Sequence, residues 1–568
     1  MKKAILGALF AGAMLASCSN DDSIINGGDP FDGEQAFVKV KIAMADDAGR
    51  GTRAGETTPN TGDYVNGSKE ENNVYTIGFK FYGADGSFYG YGETIENPTV
   101  DREGTNGNVE AKIAAVVALK INEGAPKPTK VVAYVNCEDW KQEGSEPALS
   151  DISATTDKIN GTKTGVTGLT DFAMTSSNYG TDGYATTVDP IKSFKDTPEA
   201  AKADGTAVEI YVERLAAKVQ VNTASDLESK NEELTKGDYK LKFVMDGWNL
   251  GGINNSSYLI KNLDASWATT APWSGWAATS DFRCFWAKDM NYKYTAVSDL
   301  DYKTWNEGSS NNSALYCCEN TFEARRNSTV NRYKVQPFVY VMGHYEVTKN
   351  NSKVEDTHLY NYADGIYPEE AMIANMQTAS GTIVYKQNAD DNTIYDGQSL
   401  ADYVKIVSYT YKEGDTEITD ASRVMLQLDP AKVADDAAVK TLGWKMKKSD
   451  TEYEDATVAK INEKLKEAKV IAYGFKYDST AGGYLAYFPV LIEHLNYNST
   501  EGATQGVGAY GIVRNHVYNL TITEIKNLGI GVFNPGVDII PDEKAKTLYL
   551  GAKINILSWK WVNQTVIL

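Results

Sequence analysis

Two kinds of residue near the start of the chain could undergo covalent chemistry: a cysteine after an apolar segment, and two arginines among small residues. The apolar run from Ala4 to Ala16 follows two lysines and ends shortly before Cys18. This pattern is typical of a lipoprotein signal peptide, here residues 1–17, with signal peptidase II cleaving before the cysteine. We therefore predict that Cys18 carries lipid (diacylglycerol and palmitate) and holds the precursor in a membrane.

The two arginines predict proteolysis. Arg50 and Arg53 lie in a stretch of Asp, Ala, Gly and Thr residues, which is typical of an exposed loop that a protease can reach. A trypsin-like cut after Arg53 would leave Ala54 as the new amino terminus, and Arg50 provides a reserve site. Residues 18–53 would then form a propeptide.

A β-strand is predicted inside this propeptide, from Phe37 to Met44. Apolar residues alternate there with Lys39 and Lys41, as in a strand with one buried face. The apolar face comprises Val38, Val40, Ile42 and Met44. A cut at Arg53 would release this strand and leave a vacant slot in the remaining fold.

Catalytic and metal-binding patterns are absent from the sequence. His344, His358, His494 and His516 are scattered without the HxH or HExxH spacing of a metal site. The sequence has no nucleophile elbow, phosphate-binding loop or dinucleotide-binding motif. Abundant carboxylates leave a glycosidase-like pair open, but we predict a protein that is not an enzyme and uses no metal or cofactor.

Two further groups of residues leave alternatives open. Without Cys18, four cysteines remain that can pair in three ways or stay buried without pairing. They are Cys137, Cys284, Cys317 and Cys318. A cluster of aromatic residues could stack on sugars or form part of a core, and we favour the core. Its members are Trp273, Trp276, Phe285 and Trp286.

Composition indicates an all-β protein. The 35 Tyr and 48 Gly residues favour strands joined by tight turns. The formal net charge of −20 argues against binding of nucleic acid. We predict two tandem β-sandwiches of transthyretin-like type, over residues 54–206 and 207–568, with minor helical insertions. One helix is predicted from Asp455 to Lys469, with an apolar stripe along one side.

Several short motifs, taken in order along the whole chain, resemble one known family. Besides the features around Cys18 and Arg53, they are Glu96–Asp101, Val212-Glu213-Arg214, Trp248 followed by Tyr258-Leu259, Val513-Arg514-Asn515 with Tyr518, Ile525–Gly529, and Ile556–Lys560 with the final Leu568. The chain resembles the type V pilins (fimbrillins) of Bacteroidales-type bacteria, and in particular the major subunit of the short (minor) fimbriae.

This resemblance implies an assembly mechanism. In that family the lipidated precursor reaches the outer membrane, and an arginine-specific protease cuts after the motif arginine, here Arg53. Loss of the first strand opens a groove that the C-terminal strand of a neighbouring copy fills. The implied partners are copies of the chain itself, accessory tip and anchor subunits and the protease, and the implied location is a surface fimbria that mediates adhesion and virulence.

The tail from Leu548 to Leu568 has the apolar character of such a donor strand. Its predicted donor residues are Ile554, Ile556, Leu557, Trp559, Trp561, Val562, Val566 and Leu568. Their alternation changes phase near residues 556–558, which predicts a bend that divides the tail into two strands. The alternative is an ordinary last strand of its own domain.

The function expected from the sequence is therefore that of a stalk subunit that polymerises by protease-triggered strand exchange. The alternatives are a fimbrial tip or accessory adhesin, and a surface lipoprotein that binds or degrades glycans. An anchor subunit would lack the cleavage arginine, and a tip subunit would need no donor tail.

We expect Cys18→Ala to remain uncleaved by signal peptidase II and to be absent from the cell surface. The reason is that the sequence offers no other segment of membrane-spanning length after the signal. Surface labelling of intact cells and the mass of the precursor measure this outcome. Normal surface display of the variant would contradict the lipidation of Cys18.

Overall fold

The computed structural model describes most of the chain. It covers residues 35–45, 67–101, 109–137, 140–149, 156–157, 172–177, 185–263, 286–292, 300–308, 314–322, 331–494, 510–542, 554–556 and 560–567, apart from short gaps inside several of these ranges. Strands dominate these residues, so the predicted all-β fold class is confirmed.

The first half of the chain forms one curved sheet. Its elements are β1 Gln35–Ala45, β2 Thr76–Tyr82, β3 Phe88–Tyr91, β4 Ile95–Glu96, β5 Val109–Lys120, β6 Lys130–Val135, β7 Thr156–Asp157, β8 Met174–Ser176, β9 Thr186–Thr187, β10 Phe194–Lys195, α1 Pro198–Ala203 and β11 Val208–Arg214. Ten of these strands form the sheet, in the order β10-β1-β11-β8-β6-β2-β3, with β4, β5 and β9 paired to β2, β1 and β6. The sheet contributes to one apolar core, to which β1, β2, β5, β6 and β11 all contribute side chains.

The second half contains the remaining strands and most of the helices. Its elements are β12 Ala216–Thr223, β13 Leu234–Lys236, β14 Tyr239–Gly251, β15 Ser257–Tyr258, β16 Leu315–Cys318, β17 Phe338–Lys349, β18 Ser352–Lys353, β19 His358–Tyr362, β20 Gly365–Pro368, α2 Glu369–Ser380, β21 Val384–Gln387, β22 Tyr395–Gln398, β23 Val404–Glu413, β24 Thr416–Leu428, α3 Asp436–Leu442, β25 Trp444–Lys447, β26 Tyr453–Asp455, α4 Val458–Glu467, β27 Ala472–Asp478, β28 Gly483–Leu491, β29 His516–Glu524, β30 Ile530–Gly531, β31 Ile554–Ile556 and β32 Lys560–Ile567. Short 3₁₀ turns span 70–72, 227–230, 305–307, 332–334 and 401–403.

These strands build a second sandwich. A five-stranded sheet, β16-β12-β29-β32-β31, faces an eleven-stranded sheet whose main path is β13-β14-β17-β28-β27-β19-β20. Between them lies a core in which Tyr518 and Leu520 of β29 join Phe243 of β14 and Phe488 of β28. A small sheet, β22-β21-β25-β26, and a two-stranded pair, β15-β7, complete the described part.

The helices pack on one side of the second half. The predicted helix at 455–469 is observed as α4, and its Ile461 and Leu465 are buried as the apolar stripe requires. Thr457 begins α4, because its side-chain oxygen accepts a hydrogen bond from the Lys460 N–H at 3.2 Å. Helix α2 was not predicted, because only Met372 and Met376 of its residues are buried and the apolar signal is weak.

The change from the first sheet to the second occurs within residues 208–223. The alternating apolar residues stand at even positions up to Val212 and at odd positions from Leu215, so the phase of the pattern changes where β11 ends and β12 begins. β11 belongs to the ten-stranded sheet and β12 to the five-stranded sheet, with Leu215 between them. The predicted domain boundary between residues 206 and 207 lies close to this crossover, and the division into domains remains a prediction.

Two further features of the described residues concern membrane-spanning helices and cysteine thiols. Among them, no helix is long and apolar enough to cross a membrane. Cys137, Cys317 and Cys318 are buried, and burial raises the pKa of the Cys318 thiol to about 12. Cys284 lies outside the described residues.

One buried carboxyl group makes the stability of this fold depend on pH. Asp289 is 4% exposed, and it accepts hydrogen bonds from the Thr321 backbone N–H at 2.9 Å and from the Asn254 side-chain amide. Burial raises the pKa of Asp289 to about 8, because the charged form loses its water.

We expect Asp289→Asn to weaken the pH dependence of stability. An unfolded aspartate ionises near pH 4, whereas folded Asp289 keeps its proton to about pH 8. The folded state therefore binds the extra proton in this window, and stability falls with rising pH by up to about 1.4 kcal/mol per pH unit. Asparagine cannot ionise, so its urea midpoint should change less between about pH 5 and about pH 8 than that of the parent.

The matched control for this measurement is the exposed Asp450→Asn, which should leave the pH profile of unfolding unchanged. Identical profiles for Asp289→Asn and the parent protein would contradict the prediction.

Candidate functional site

The candidate site is the position that β1 occupies, here called the β1 slot. On one side β1 is antiparallel to β5 along its whole length, from Gln35 opposite Lys120 to Ala45 opposite Val109. On the other side it is parallel to β11 over residues 40–44 and antiparallel to β10 at residues 37–38. β1 is therefore an interior strand of the sheet, with hydrogen-bonded neighbours on both edges.

The side chains of β1 fill the core of the first sheet. Val38 and Val40 are 0% exposed and Ile42 is 1% exposed, on the same face as Val117 and Ile113 of β5. The structure thus places three of the four residues of the predicted released face in the core. Met44 is described only by its backbone, which pairs with Val212 of β11.

The opposite face of β1 is also partly apolar, which the sequence analysis missed. Phe37 is buried against Val116, Ala118 and Ala201, beneath helix α1. The signal was present in the sequence, since Phe37 interrupts the polar side of the alternating pattern. Lys39 lies next along this face, and its Nζ donates to the Lys202 carbonyl oxygen at 3.2 Å.

Loss of β1 would leave two unpaired strand edges and an apolar groove. Each large side chain removed from the core corresponds to about 1.5–3 kcal/mol of burial. Each backbone hydrogen bond of the ladder adds about 0.5–1.5 kcal/mol. A sheet opened in this way favours any strand that can replace β1.

The residues predicted to control this release lie outside the described residues. They are Cys18, Arg50, Arg53 and Ala54. β1 ends at Ala45, and the next described residue is Gly67. Lipidation and cleavage therefore remain predictions.

The C-terminal tail forms two strands, β31 and β32, on the five-stranded sheet. β32 is parallel to β29, from Lys560 opposite His516 to Ile567 opposite Glu524. β31 is antiparallel to β32, with Ile556 opposite Val562. The tail is divided between residues 556 and 560, where its apolar alternation changes phase.

The predicted donor residues are distributed over both strands. Ile554 and Ile556 belong to β31, and Trp561, Val562 and Val566 belong to β32. Leu557, Trp559 and Leu568 lie outside the described residues. In the described part of the tail, β32 pairs with β29 and β31 of its own chain.

A set of buried polar residues joins the wall of the β1 slot to the second sandwich. We call it the junction network; it comprises Glu71, Asn72, Glu213, Arg214, Lys261, Glu319, Arg514 and Asn515, all buried. Two of the motifs that carry the resemblance, Val212-Glu213-Arg214 and Val513-Arg514-Asn515, meet here.

Arg214, the last residue of β11, is the first centre of this network. Its Nε donates to the Glu71 carbonyl oxygen at 3.0 Å, and its Nη1 donates to the Asn515 side-chain oxygen at 3.0 Å. Its Nη2 donates to the Asn72 side-chain oxygen. Three donor nitrogens are thus satisfied at a site with 2% exposure, as a buried guanidinium requires.

The Glu71 carboxylate balances the charge at this centre. It pairs with the Lys218 Nζ at 2.8 Å and accepts a hydrogen bond from the Tyr316 hydroxyl. Burial acts to raise the pKa of Glu71, but Arg214 and Lys218 outweigh burial and lower it. The carboxylate therefore stays ionised and holds β11, β12 and β16 together.

Arg514 is the second centre. Its Nε donates to the Glu319 carboxylate at 3.2 Å, and its Nη2 donates to the Tyr258 carbonyl oxygen at 2.7 Å. Nearby, Lys261 and Glu213 form an ion pair at 2.9 Å with almost no exposure of either side chain. Burial raises the pKa of Glu213, and Lys261 offsets part of that effect.

The remaining candidate residues are structural where they are described. Trp286 is 0% exposed and packs near the His494 ring, 5.4 Å between centroids, so this member of the aromatic cluster is part of the core. Trp273, Trp276 and Phe285 lie outside the described residues. In the described ranges no three His, Cys, Asp or Glu residues are grouped as a metal site.

The four histidines have separate surroundings. His344 lies 2.9 Å from an Asp246 oxygen, and His494 lies 2.8 Å from the Tyr518 hydroxyl. His516 contacts the Arg514 carbonyl oxygen at 2.7 Å, and the His358 ring packs near Phe533.

Comparison with solved structures finds Bacteroidales proteins. A fimbrial assembly protein from Parabacteroides distasonis is 11% identical, with 69% of this chain and 96% of that chain covered and a TM-score of 0.27. The tip fimbrial protein Mfa3 from Porphyromonas gingivalis, with a C-terminal truncation, is 10% identical, with 69% and 99% covered and a TM-score of 0.27. The anchor protein Mfa2 from the same organism is 9% identical, with 68% and 96% covered and a TM-score of 0.20.

Comparison with sequences gives one family and no individual relative. No curated protein matches the chain. Residues 483–565 match the family described as major fimbrial subunit protein type IV, fimbrillin, C-terminal. The matched segment contains β28 to β31 and most of β32, which include the central strands of the second sandwich and the tail. The C-terminal segment of this chain is therefore similar to the corresponding region of the fimbrillins, which are fimbrial proteins.

Proposed function

We propose that this chain is the major, stalk-forming subunit of a surface fimbria and that it polymerises by donor-strand exchange. The precursor is anchored in the outer membrane by lipid on Cys18, and an arginine-specific protease cuts after Arg53. β1 then leaves, and the tail of a second copy fills the slot. The single observation that carries this proposal is that β1, which directly precedes the arginine loop, is an interior strand.

Because β1 is an interior strand, its release after cleavage at Arg53 would change the sheet more than the loss of an edge strand. Release of an edge strand breaks the backbone hydrogen bonds to one neighbouring strand. Release of β1 breaks them on both sides and also exposes its buried core face. The gap it leaves exposes unpaired N–H and C=O groups on β5 and β11. Without the cut, β1 remains covalently attached and occupies the slot at a very high effective concentration.

The surrounding structure is suited to an exchange of strands. β11 is fixed at its end by Arg214, so one wall of the slot is tied to the second sandwich. The fimbrillin match over residues 483–565 supports a fimbrial role, and accessory tip and anchor subunits are the further partners we propose. The mature stalk subunit then consists of residues 54–206 and 207–568 as its two domains.

A second candidate, a tip or accessory adhesin, is favoured by one observation. β32 pairs with β29 of its own chain, as the last strand of a subunit that donates nothing would do. A stalk subunit must give up this pairing when it donates its tail. Removal of the tail therefore distinguishes the two functions.

We expect Arg50→Ala combined with Arg53→Ala to give a folded monomer that retains β1 and forms no fibres. Both cleavage positions are then lost, so the slot stays filled. Electron microscopy of cell-surface fibres and the mass of the purified subunit measure the result. Fibres of normal length from this variant would show that strand release is not the trigger.

The matched control replaces both arginines by lysine. Arg50→Lys with Arg53→Lys keeps the positive charge but resists an arginine-specific protease. It should remain monomeric in cells, and brief treatment with trypsin should restore both cleavage and polymerisation. Failure of the trypsin-cleaved control to polymerise would contradict the proposed role of the cut.

We expect deletion of residues 548–568 to abolish fibres while cleavage after Arg53 continues. Such a subunit has a slot but no donor, so it should also cap growing chains. Adding it to full-length processed subunits should shorten the fibres in proportion to its fraction, which shows that the truncated subunit is folded. Fibres of normal length from the truncated protein alone would support the tip or accessory adhesin instead.

A further inference from the structure

A cleft opens on the second sandwich, at the place where the end of β12 approaches β14. Its volume is about 550 Å³, which lies within the range of about 300–1,000 Å³ that is usual for ligand sites. Residues 223–231, residues 242–245 of β14 and Glu346 of β17 contribute to its lining. None of the lining residues belongs to β1 or to the tail, so the cleft is separate from the strands of the proposed exchange.

The 3₁₀ turn at 227–230 is fixed between the two sheets that meet at this cleft. The Ala224 N–H donates to the Ile522 carbonyl oxygen of β29 at 2.8 Å, and the Leu227 N–H donates to the Ala224 carbonyl oxygen at 3.1 Å. On the other side, the Asn231 side-chain amide donates to the Phe243 carbonyl oxygen of β14 at 2.7 Å. The turn is thus hydrogen-bonded to both sheets, and the cleft has a wall of defined shape.

The apolar part of the lining is continuous with the core of the second sandwich. Phe243 and Ile525 belong to that core, and the half-buried Leu227 and Met245 pack against it. An apolar chain that entered the cleft would extend this core and would leave water. The cleft therefore favours a ligand with an apolar stem.

The charged residues of the lining are unbalanced. Lys242 Nζ lies 3.0 Å from a Glu228 carboxylate oxygen, and the side chains of the pair are 43% and 84% exposed. Lys242 also lies directly opposite Glu346 in the β14–β17 ladder. Glu346 is exposed and has no ion pair within the described part of the chain. One ammonium group therefore faces two carboxylates, which leaves room for a second cation.

The wall of the cleft also contains an acceptor whose hydrogen bond is missing. The Asn231 Oδ1 is buried and has no hydrogen-bond partner among the described residues. A buried acceptor of this kind costs free energy until a donor reaches it. The unused polar groups here are thus acceptors, and the ligand that matches them carries N–H donors.

We propose that this cleft binds the side chain of a lysine on a partner protein. The apolar stem of that lysine lies against Leu227 and Met245, and its ammonium group pairs with Glu346. A lysine combines an apolar stem with a compact charge that stays near water, as an exposed carboxylate requires. The volume of the cleft exceeds that of one lysine side chain, so neighbouring residues of the partner also fit, which favours a protein over a small free amine.

Binding is tested with a capped peptide that carries one lysine between two alanines on each side. Saturation-transfer NMR and titration calorimetry on the purified full-length chain should show saturable binding. A peptide with norleucine keeps the stem without the charge, and one with 2,4-diaminobutyrate keeps the charge on a shorter stem. Both should bind more weakly than the lysine peptide, and a glutamate peptide should not bind.

Two substitutions in the cleft should change the affinity in opposite directions. Glu346→Gln removes the free carboxylate and should weaken binding of the lysine peptide roughly two- to fivefold, as expected for an exposed ion pair. Lys242→Gln removes the competing cation and leaves Glu228 without its partner, so binding should become stronger by a similar factor. The exposed Glu370→Gln on α2 is the matched control and should leave the affinity unchanged.

Equal binding of the lysine and norleucine peptides would overturn the proposal, as would weaker binding by Lys242→Gln. Unchanged unfolding temperatures of the variants show that these comparisons concern the cleft and not the fold. Hexylammonium that binds while the lysine peptide does not would also overturn the proposal, because the occupant would then be a small amine and not a partner protein.

Discussion

An interior β-strand must satisfy its backbone groups on both sides, and this constraint governs the first half of the molecule. β1 pairs with β5 along one edge and with β10 and β11 along the other. Its side chains also complete the core beneath the sheet. Most sheets would tolerate loss of a terminal strand at the edge, where one ladder is open already. Here the first strand among the described residues lies between two parts of the sheet and pairs with both.

The junction network ties one wall of the β1 slot to the second sandwich. β11 forms one wall, and its final residue, Arg214, is held by groups from the 3₁₀ turn at 70–72 and by Asn515 before β29. Buried charges of this kind add little net stability, because desolvation opposes their attraction. Their geometric demands are strict, however, since a misplaced guanidinium or carboxylate would be left without partners. The network therefore fixes how β11 meets β12 and the second sandwich.

The described part of the tail adds two strands to the five-stranded sheet. β32 lies between β29 and β31, parallel to the first and antiparallel to the second, so it has hydrogen-bonded neighbours on both sides. The fimbrillin match covers this C-terminal region, including part of the tail.

Local pattern was sufficient to predict several elements of this protein from the sequence alone. The alternation of Val38, Val40 and Ile42 gave a strand with one buried face, and the stripe of Ile461 and Leu465 gave helix α4. These features follow from the periods of strands and helices, which depend only on nearby residues. The all-β class followed in the same way from composition and turn residues.

Only the tertiary structure could decide features that depend on distant residues. No local signal shows that β1 is interior, because its partners β5 and β11 lie far along the chain. At Leu215 the alternation changes phase, but the pattern does not show that the hydrogen-bond partners change from one sheet to another there. Arg214 and Asn515 are 301 residues apart in sequence, and their contact exists only because two sheets meet there. The sequence by itself determined which residues are apolar and how they are spaced, and the fold determined which of them are buried together.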